Sequence, residues 1–344
     1  MGVALLLALA QLSGTPPAQS QTAESPATTT WTVPFLTSRN RTGDREPGDA
    51  FGDDRSTLSA GHCLVRRADL GSLGPLADQL PQYLREETLR IGRVTIEPET
   101  DVLDQLEVSA AGRGPALYVH GYYIGFEKGC RRAGLLIDNA GLAGRFLWFS
   151  WPSDGAIAYY THDEADLAWS VPDIADTILE LHRRFGPGSV DVLGHSLGGR
   201  GVMLALTEVA YRDPEFRLDS VVLLAPDADF GIFQRSLPRI AAIANNVTVY
   251  VADEDLPLAV SAEFHGYPRL GQTGNDVSVL TGVEVIDISD VPEATPSGHL
   301  YHIYSAEVGA DLNLLLNDGL LAGDRPGLRP GGSNLWKLQP DAPD

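Results

Sequence analysis

Long apolar runs, cysteines and basic residues are all scarce in this sequence, and each scarcity narrows what the chain can do. Beyond the N-terminus no stretch approaches the ~20 consecutive apolar residues of a membrane helix, so no integral membrane segment is expected in the mature protein. Cysteine occurs twice in 344 residues, as Cys63 and Cys130. Neither belongs to a CxxC pair or has clustered histidines beside it, which argues against a zinc site. The two are read equally as separate buried thiols or as one disulfide of an exported protein. Lysine and arginine number 25 against 46 aspartates and glutamates, for a formal net charge of −21. A surface of that sign repels phosphate backbones and anionic headgroups, so nucleic acid is not an expected partner.

What remains is a chain 43% hydrophobic, enough for one large core. Its first residues, Gly2–Leu12 (GVALLLALAQL), form an apolar run too short to span a bilayer. Ala18-Gln19-Ser20 then has the small-x-small form of a cleavage site. Residues 1–20 are therefore expected to be a signal peptide, although no Lys or Arg precedes the apolar run, and the protein is expected to be secreted or periplasmic. The alternative is a cytoplasmic protein with a disordered tail. Residues 21–31 read as a disordered linker and residues 325–344, rich in Pro and Gly, as a loose tail. Between them, 32–324 is expected to be one domain, with an irregular N-terminal extension over 32–110.

Short apolar runs recur at Ala116–Val119, Phe146–Phe149, Val190–Leu193, Val221–Leu224, Val247–Val251 and Val283–Ile288. Such runs suit strands buried on both faces. Helical periodicity lies between them, over Lys128–Ala140, Val171–Phe185 and Gly198–Tyr211. The alternation predicts an α/β fold: a mostly parallel sheet covered by helices on both faces, with every strand's C-terminal end on one ligand-binding edge.

Gly194-His195-Ser196-Leu197-Gly198 fits G-x-S-x-G. The pattern is weak alone, but here it follows a strand and opens a helix with small residues at Gly199, Gly201 and Ala205. That is the context of a nucleophile elbow, a strained turn that exposes a serine hydroxyl. The same segment falls short of a phosphate-binding loop, lacking the lysine and following hydroxyl. A serine nucleophile needs donors for the oxyanion it creates. His120-Gly121-Tyr122 follows the strand Ala116–Val119, so the backbone N–H groups of Tyr122 and Leu197 are expected to form that hole.

The base should come last in chain order, after the strand Val283–Ile288. His299 and His302 both qualify, and His299 is preferred because it sits on a loop behind Ser297-Gly298. For the acid, Asp253 and Asp255 follow one strand, while Asp227 and Asp229 follow the previous one. The later strand is favoured without separating its two members. Carboxylates in such turns are often helix caps, so at least three of the four do other work.

This run of landmarks resembles a bacterial branch of the α/β-hydrolases catalogued as a domain of unknown function, over roughly Thr32 to Leu316. The resemblance is carried by Val33-Pro34-Phe35-Leu36-Thr37-Ser38-Arg39-Asn40, Gly61-His62-Cys63-Leu64-Val65, Val119-His120-Gly121-Tyr122, Phe149-Ser150-Trp151-Pro152-Ser153 and Trp169-Ser170. It continues through the elbow to Arg200, Ala225-Pro226-Asp227 and Arg269-Leu270-Gly271. It implies Asp255 as the acid, from Asp255-Leu256-Pro257-Leu258 followed by Ser261. It implies His299 as the base, from Gly298-His299-Leu300-Tyr301 followed by Asp311-Leu312. This chain has His302 where the group usually carries Phe.

The expected chemistry is acyl transfer from a small-molecule carboxylic ester, of small or short-chain acyl type, through Ser196, His299 and Asp255, with no metal or organic cofactor. Only about twenty residues separate Leu224 from the next strand, enough for one helix around Phe230–Ile243 and too few for a large lid. Trp151, Tyr159, Tyr160 and Trp169 are candidates to line an acyl pocket, or equally to pack elsewhere. An amidase or peptidase would use the same triad, and a non-catalytic envelope or binding protein would keep the fold without it.

Overall fold

The computed structural model describes residues 30–70, 74–77, 79–292 and 295–340. The expected signal peptide and residues 21–29 of the linker lie outside them; Thr30 and Trp31 already belong to a strand.

Three strands come first: β1 (Thr30–Arg41), β2 (Phe51–Arg67) and β3 (Leu89–Glu97), with the single-turn helices α1 (Gly74–Ala77) and α2 (Gln82–Arg85) before β3. After α3 (Glu99–Ala110) the chain alternates. The order is β4 (Ala116–Val119), α4 (Phe126–Asn139), β5 (Phe146–Ser150), α5 (Tyr160–Phe185), β6 (Asp191–His195), α6 (Leu197–Arg212), β7 (Leu218–Leu224), α7 (Phe230–Ala242), β8 (Ala244–Val251), α8 (Leu256–His265) and β9 (Glu284–Asp287). Helices α9 (Tyr301–Tyr304) and α10 (Ala306–Leu316) lead to β10 (Leu328–Pro330) and β11 (Leu335–Leu338).

The described strands form one sheet in the order β10-β11-β9-β8-β7-β6-β4-β5-β1-β2-β3. It is parallel from β11 to β1, and antiparallel only where β2 and β3 extend one edge and β10 the other. The inner strands are apolar throughout because both of their faces are covered. One face packs under α3, α5, α6 and α7 through residues such as Leu117, Val192, Ile178 and Leu206. The other packs under α4 and α10 through Tyr118, Leu193, Leu136 and Leu312. This is the α/β-hydrolase fold. Among the described residues no helix is long and apolar enough to cross a membrane.

Two expectations fail at the edges. The N-terminal extension is not irregular, since β1 pairs in parallel with β5 and antiparallel with β2. The strands run to the rim of the sheet, where residues from Asp53 to Arg55 are exposed and need no apolar partner. Nor is the C-terminal segment loose as far as residue 340. β11 pairs with β9, and residues 331–334 make the turn of a hairpin that buries Leu328 and Leu338. Arg325 is buried beneath it, ion-paired with Asp311 at 2.7 Å.

Cys63 of β2 and Cys130 of α4 are joined in a disulfide. The bond ties the edge strands to the helix that borders the site described next.

Candidate active site

Strand β6 ends at His195 and α6 begins at Leu197, leaving one residue for the turn between them. That residue is Ser196, with φ 54° and ψ −123°. Backbone this unusual costs on the order of 1–3 kcal/mol and persists only where its surroundings enforce it. The Ser196 N–H donates to the Leu224 carbonyl at 3.0 Å, and the Ser196 carbonyl accepts from the N–H groups of Gly199 and Asp227, each at 3.0 Å. Gly198 is required by close approach: a Cβ there would lie 2.3 Å from the carbonyl oxygens of both Val119 and His120. The helix can therefore pack directly on the end of β4.

The loop after β4 meets the same serine. A Cβ on Gly121 would stand 2.8 Å from the Ser196 Cβ, so the peptide joining Gly121 to Tyr122 lies against the nucleophile position. Leu197, the first residue of α6, has no carbonyl one turn back within the helix for its N–H to bond. These are the two residues that sequence reasoning selected for an oxyanion hole. The loop is held by Arg39 of β1, a residue that reasoning assigned no role. Arg39 is buried and donates to the carbonyls of Ile124 (2.5 Å), Gly52 and Ser153 (both 3.0 Å). Burial lowers its guanidinium to about 10. The only hint in the sequence was its place in the Val33–Asn40 segment, since a contact across three strands has no local signature.

His299 and Asp255 arrive from the far end of the chain. The His299 Nδ1–H donates to Asp255 Oδ2 at 2.6 Å, and Asp255 Oδ1 accepts from the Leu258 N–H at 3.0 Å, capping α8. One carboxylate thus caps a helix and orients an imidazole. The Leu256 N–H bonds the Ser297 carbonyl at 3.2 Å, and Gly298, at φ 65°, passes so near the Glu254 carbonyl that a Cβ would lie 2.3 Å from it. With Nδ1 bonded to Asp255, the lone pair of His299 is on Nε2.

The rejected carboxylates have separate employment. Asp253 is exposed, and its N–H bonds Ser289. Asp229 caps α7 by accepting from the Ile232 N–H. Asp227 is buried and accepts from the Tyr160 hydroxyl (2.5 Å) and the Ser261 hydroxyl (2.6 Å), with Arg269 at 3.4 Å. That network, also missed from sequence, braces the peptide that holds the Ser196 carbonyl.

Ser196 and His299 line one cavity of about 610 Å³, together with Tyr122, Tyr123, Tyr160 and Lys128. Leu256, Pro257, Val260 and Phe264 of α8 form an apolar wall. Of the four aromatic candidates only Tyr160 reaches this cavity. Trp151 is buried with its indole N–H on the His120 carbonyl, and Tyr159 and Trp169 are exposed. Among the described residues no group of three or more His, Cys, Asp or Glu is arranged to hold a metal ion.

His302 lies beneath the site, in α9, with Nε2 3.2 Å from the Tyr118 hydroxyl and its ring 4.2 Å from that of His195. Burial, then the neighbouring histidines, pushes His195 well below 6.5; burial does the same to His302, and holds His120 at about 3. All three are therefore neutral in the folded protein near pH 6, whereas their unfolded counterparts take up protons below about 6.5. A folded-state pKa below the unfolded one gives stability that is complete above 6.5 and lost as pH falls. Each histidine then contributes a slope of up to about 1.4 kcal/mol per pH unit. In urea unfolding at pH 7, 6 and 5, His302→Phe should lose stability less steeply than wild type, by roughly that amount per unit below pH 6. Equal slopes would refute the neutral assignment of His302.

The sequence model for "Alpha/beta hydrolase of unknown function (DUF900)" matches residues 96–317. No curated protein matches the chain. Among solved structures, a predicted CIB-like hydrolase from Thermoplasma acidophilum is 14% identical, with 84% of this chain and 99% of that one covered and a TM-score of 0.37. A hyperthermophilic esterase from Pyrobaculum calidifontis is 13% identical, with 75% and 80% covered and a TM-score of 0.34. A carboxylesterase from Bacillus subtilis is 11% identical, with 86% and 93% covered and a TM-score of 0.33. The family match spans well over half of the chain and contains the elbow, the loop after β4 and the Asp255–His299 pair, so this protein belongs to the DUF900 family of α/β-hydrolases.

Proposed function

We propose that this protein is a serine esterase that cleaves carboxylic esters, of small or short-chain acyl type, through an acyl-enzyme. The observation that carries the reading is the meeting, on one cavity, of a serine held at positive φ and a histidine whose Nδ1 is bonded to a buried aspartate. Ser196 Oγ attacks the ester carbonyl as its proton passes to His299 Nε2. Asp255 stabilises the imidazolium without taking the proton. The oxyanion accepts hydrogen bonds from the N–H groups of Leu197 and Tyr122. Collapse breaks the bond to the alcohol oxygen, which leaves with the His299 proton. Water then repeats the sequence and frees the acid.

The apolar wall of α8 favours an acyl or alcohol group with carbon chain rather than a polar peptide. α7 is the only helix between β7 and β8, which leaves no room for a large lid there. The Cys63–Cys130 disulfide supports export, because such bonds persist in oxidising compartments. The deciding experiment is labelling with a fluorophosphonate, followed by matched ester and amide substrates. Stoichiometric labelling of Ser196 and faster turnover of the ester are expected. An unlabelled native protein, or label retained in Ser196→Ala, rejects catalysis at this serine. Faster turnover of the amide replaces the esterase reading with an amidase.

A further inference from the structure

The chain has only two lysines, and one of them, Lys128, lines the cavity that holds Ser196 and His299. It stands in the first turn of α4, half-buried, with its ammonium 4.3 Å from the centre of the Tyr123 ring. Tyr123 itself sits at φ 64°. Four described non-glycine residues have positive φ, and two of them, Ser196 and Tyr123, border this cavity. Two strained residues on the wall of one cavity fit the tendency of backbone strain to gather at ligand sites.

Lys128 makes no ion pair among the described residues. The carboxylates whose field reaches it are already engaged: Glu86 pairs with Arg132 at 3.3 Å and Glu87 with Arg131 at 3.5 Å. Arg132, one turn further along α4, lines the same cavity with its charge balanced by Glu86. Among the described residues of the cavity wall the one carboxylate, Asp227, is occupied by Tyr160, Ser261 and Arg269. In a protein of net charge −21, the cavity therefore keeps, among the described residues, one cation without a counter-charge, beside an apolar wall. A half-buried ammonium in such surroundings is poorly solvated, and an arriving anion removes that cost while forming a charge-assisted hydrogen bond.

We infer that the ester cleaved here carries a carboxylate at the end of an apolar spacer, and that Lys128 receives that carboxylate. The inference rests on the esterase reading and adds the substrate class. The spacer lies along Leu256, Val260 and Phe264, and the carboxylate meets Lys128 with Arg132 one turn behind.

The groups acting on Lys128 are Arg131 and Arg132 of α4, Glu86 and Glu87 of the turn before β3, and the Tyr123 ring; Tyr122, Tyr160, His195, Asp227 and His299 complete the cavity's titratable lining. Burial, then Arg132, brings the ammonium down to about 8. Its charge is present below that value and lost above it, so recognition of an anion should fade as pH rises through about 8.

The test compares the mono-4-nitrophenyl ester of octanedioic acid with the 4-nitrophenyl ester of octanoic acid, spontaneous hydrolysis subtracted. At pH 7 the wild type should favour the carboxylate-bearing ester in kcat/KM by about tenfold, the scale of one charge-assisted hydrogen bond. Lys128→Met should bring the ratio to about one. Lys128→Arg should keep it and extend it to pH 9, where the wild-type ratio has declined. Taking a ratio cancels the contribution of His299 to both reactions. A wild-type ratio near one, or a ratio unmoved by Lys128→Met, overturns the inference and leaves the esterase intact. Fluorophosphonate labelling with turnover of neither ester also overturns it. Failure of both labelling and turnover removes the esterase reading, and this inference with it.

Discussion

Ser196→Ala should lower kcat on any accepted ester by about 10⁶-fold, the size of effect seen when the nucleophile of a serine triad is lost. Alanine keeps the Cβ, so it inherits the strained φ of 54° without relieving it, and the contacts of the elbow with Leu224, Gly199 and Asp227 are all backbone. The variant should therefore fold, keep its cavity and bind substrate with an affinity near wild type. What disappears is the atom proposed to form the acyl-enzyme. Residual catalysis of about 10³–10⁴ over water should survive through the donors at Leu197 and Tyr122. His299→Ala should cost about as much, and the double variant scarcely more, because the two act as one unit. Steady-state kinetics on all three variants decide the matter. A Ser196→Ala protein within tenfold of wild type would place the chemistry elsewhere.

Asp255→Asn should lower kcat by about 10⁴-fold. Asparagine is nearly isosteric and can still cap α8 through its amide oxygen, so the fold is expected to survive. Its amide NH₂ facing His299 Nδ1 would favour the wrong tautomer and would not stabilise the imidazolium. Asp227→Asn is the control. That carboxylate is also buried near Ser196, but its partners are Tyr160, Ser261, Arg200 and Arg269 rather than His299. Losing it should cost about 3 kcal/mol of stability by leaving buried guanidinium charge uncompensated, with a much smaller effect on kcat. Chemical unfolding beside kinetics separates the two. A larger loss of kcat in the Asp227 variant than in the Asp255 variant would reverse the assignment of the acid.

Much of the centre of the molecule was legible because it is local. A strand buried on both faces has to be an apolar run, and β4 begins and ends where the run Ala116–Val119 does. The elbow reads from five residues because its geometry needs small neighbours at fixed offsets. Loop position favoured His299 over His302; the fold places His299 on the cavity with Ser196 and His302 in α9. The edges were not legible. β2 begins with exposed polar residues at Asp53, Asp54, Arg55 and Thr57, and β10 and β11 are short and separated by Gly331-Gly332-Ser333-Asn334. Strands at a sheet's margin need only half a burial pattern, and composition then resembles a loop.

The sequence by itself determined the alternating α/β order, the serine at the strand-to-helix turn and the short list of partners after later strands, because periodicity and turn chemistry act over a few residues. Spacing alone left Asp253 and Asp255 unseparated and only the resemblance pointed to Asp255; the tertiary structure alone decided that its carboxylate meets His299, that Arg39 braces the loop beside Ser196, and that Lys128 has no counter-charge among the described residues of the cavity. Each depends on which side chains converge from strands and helices tens to hundreds of residues apart, and that convergence is set by how the layers pack.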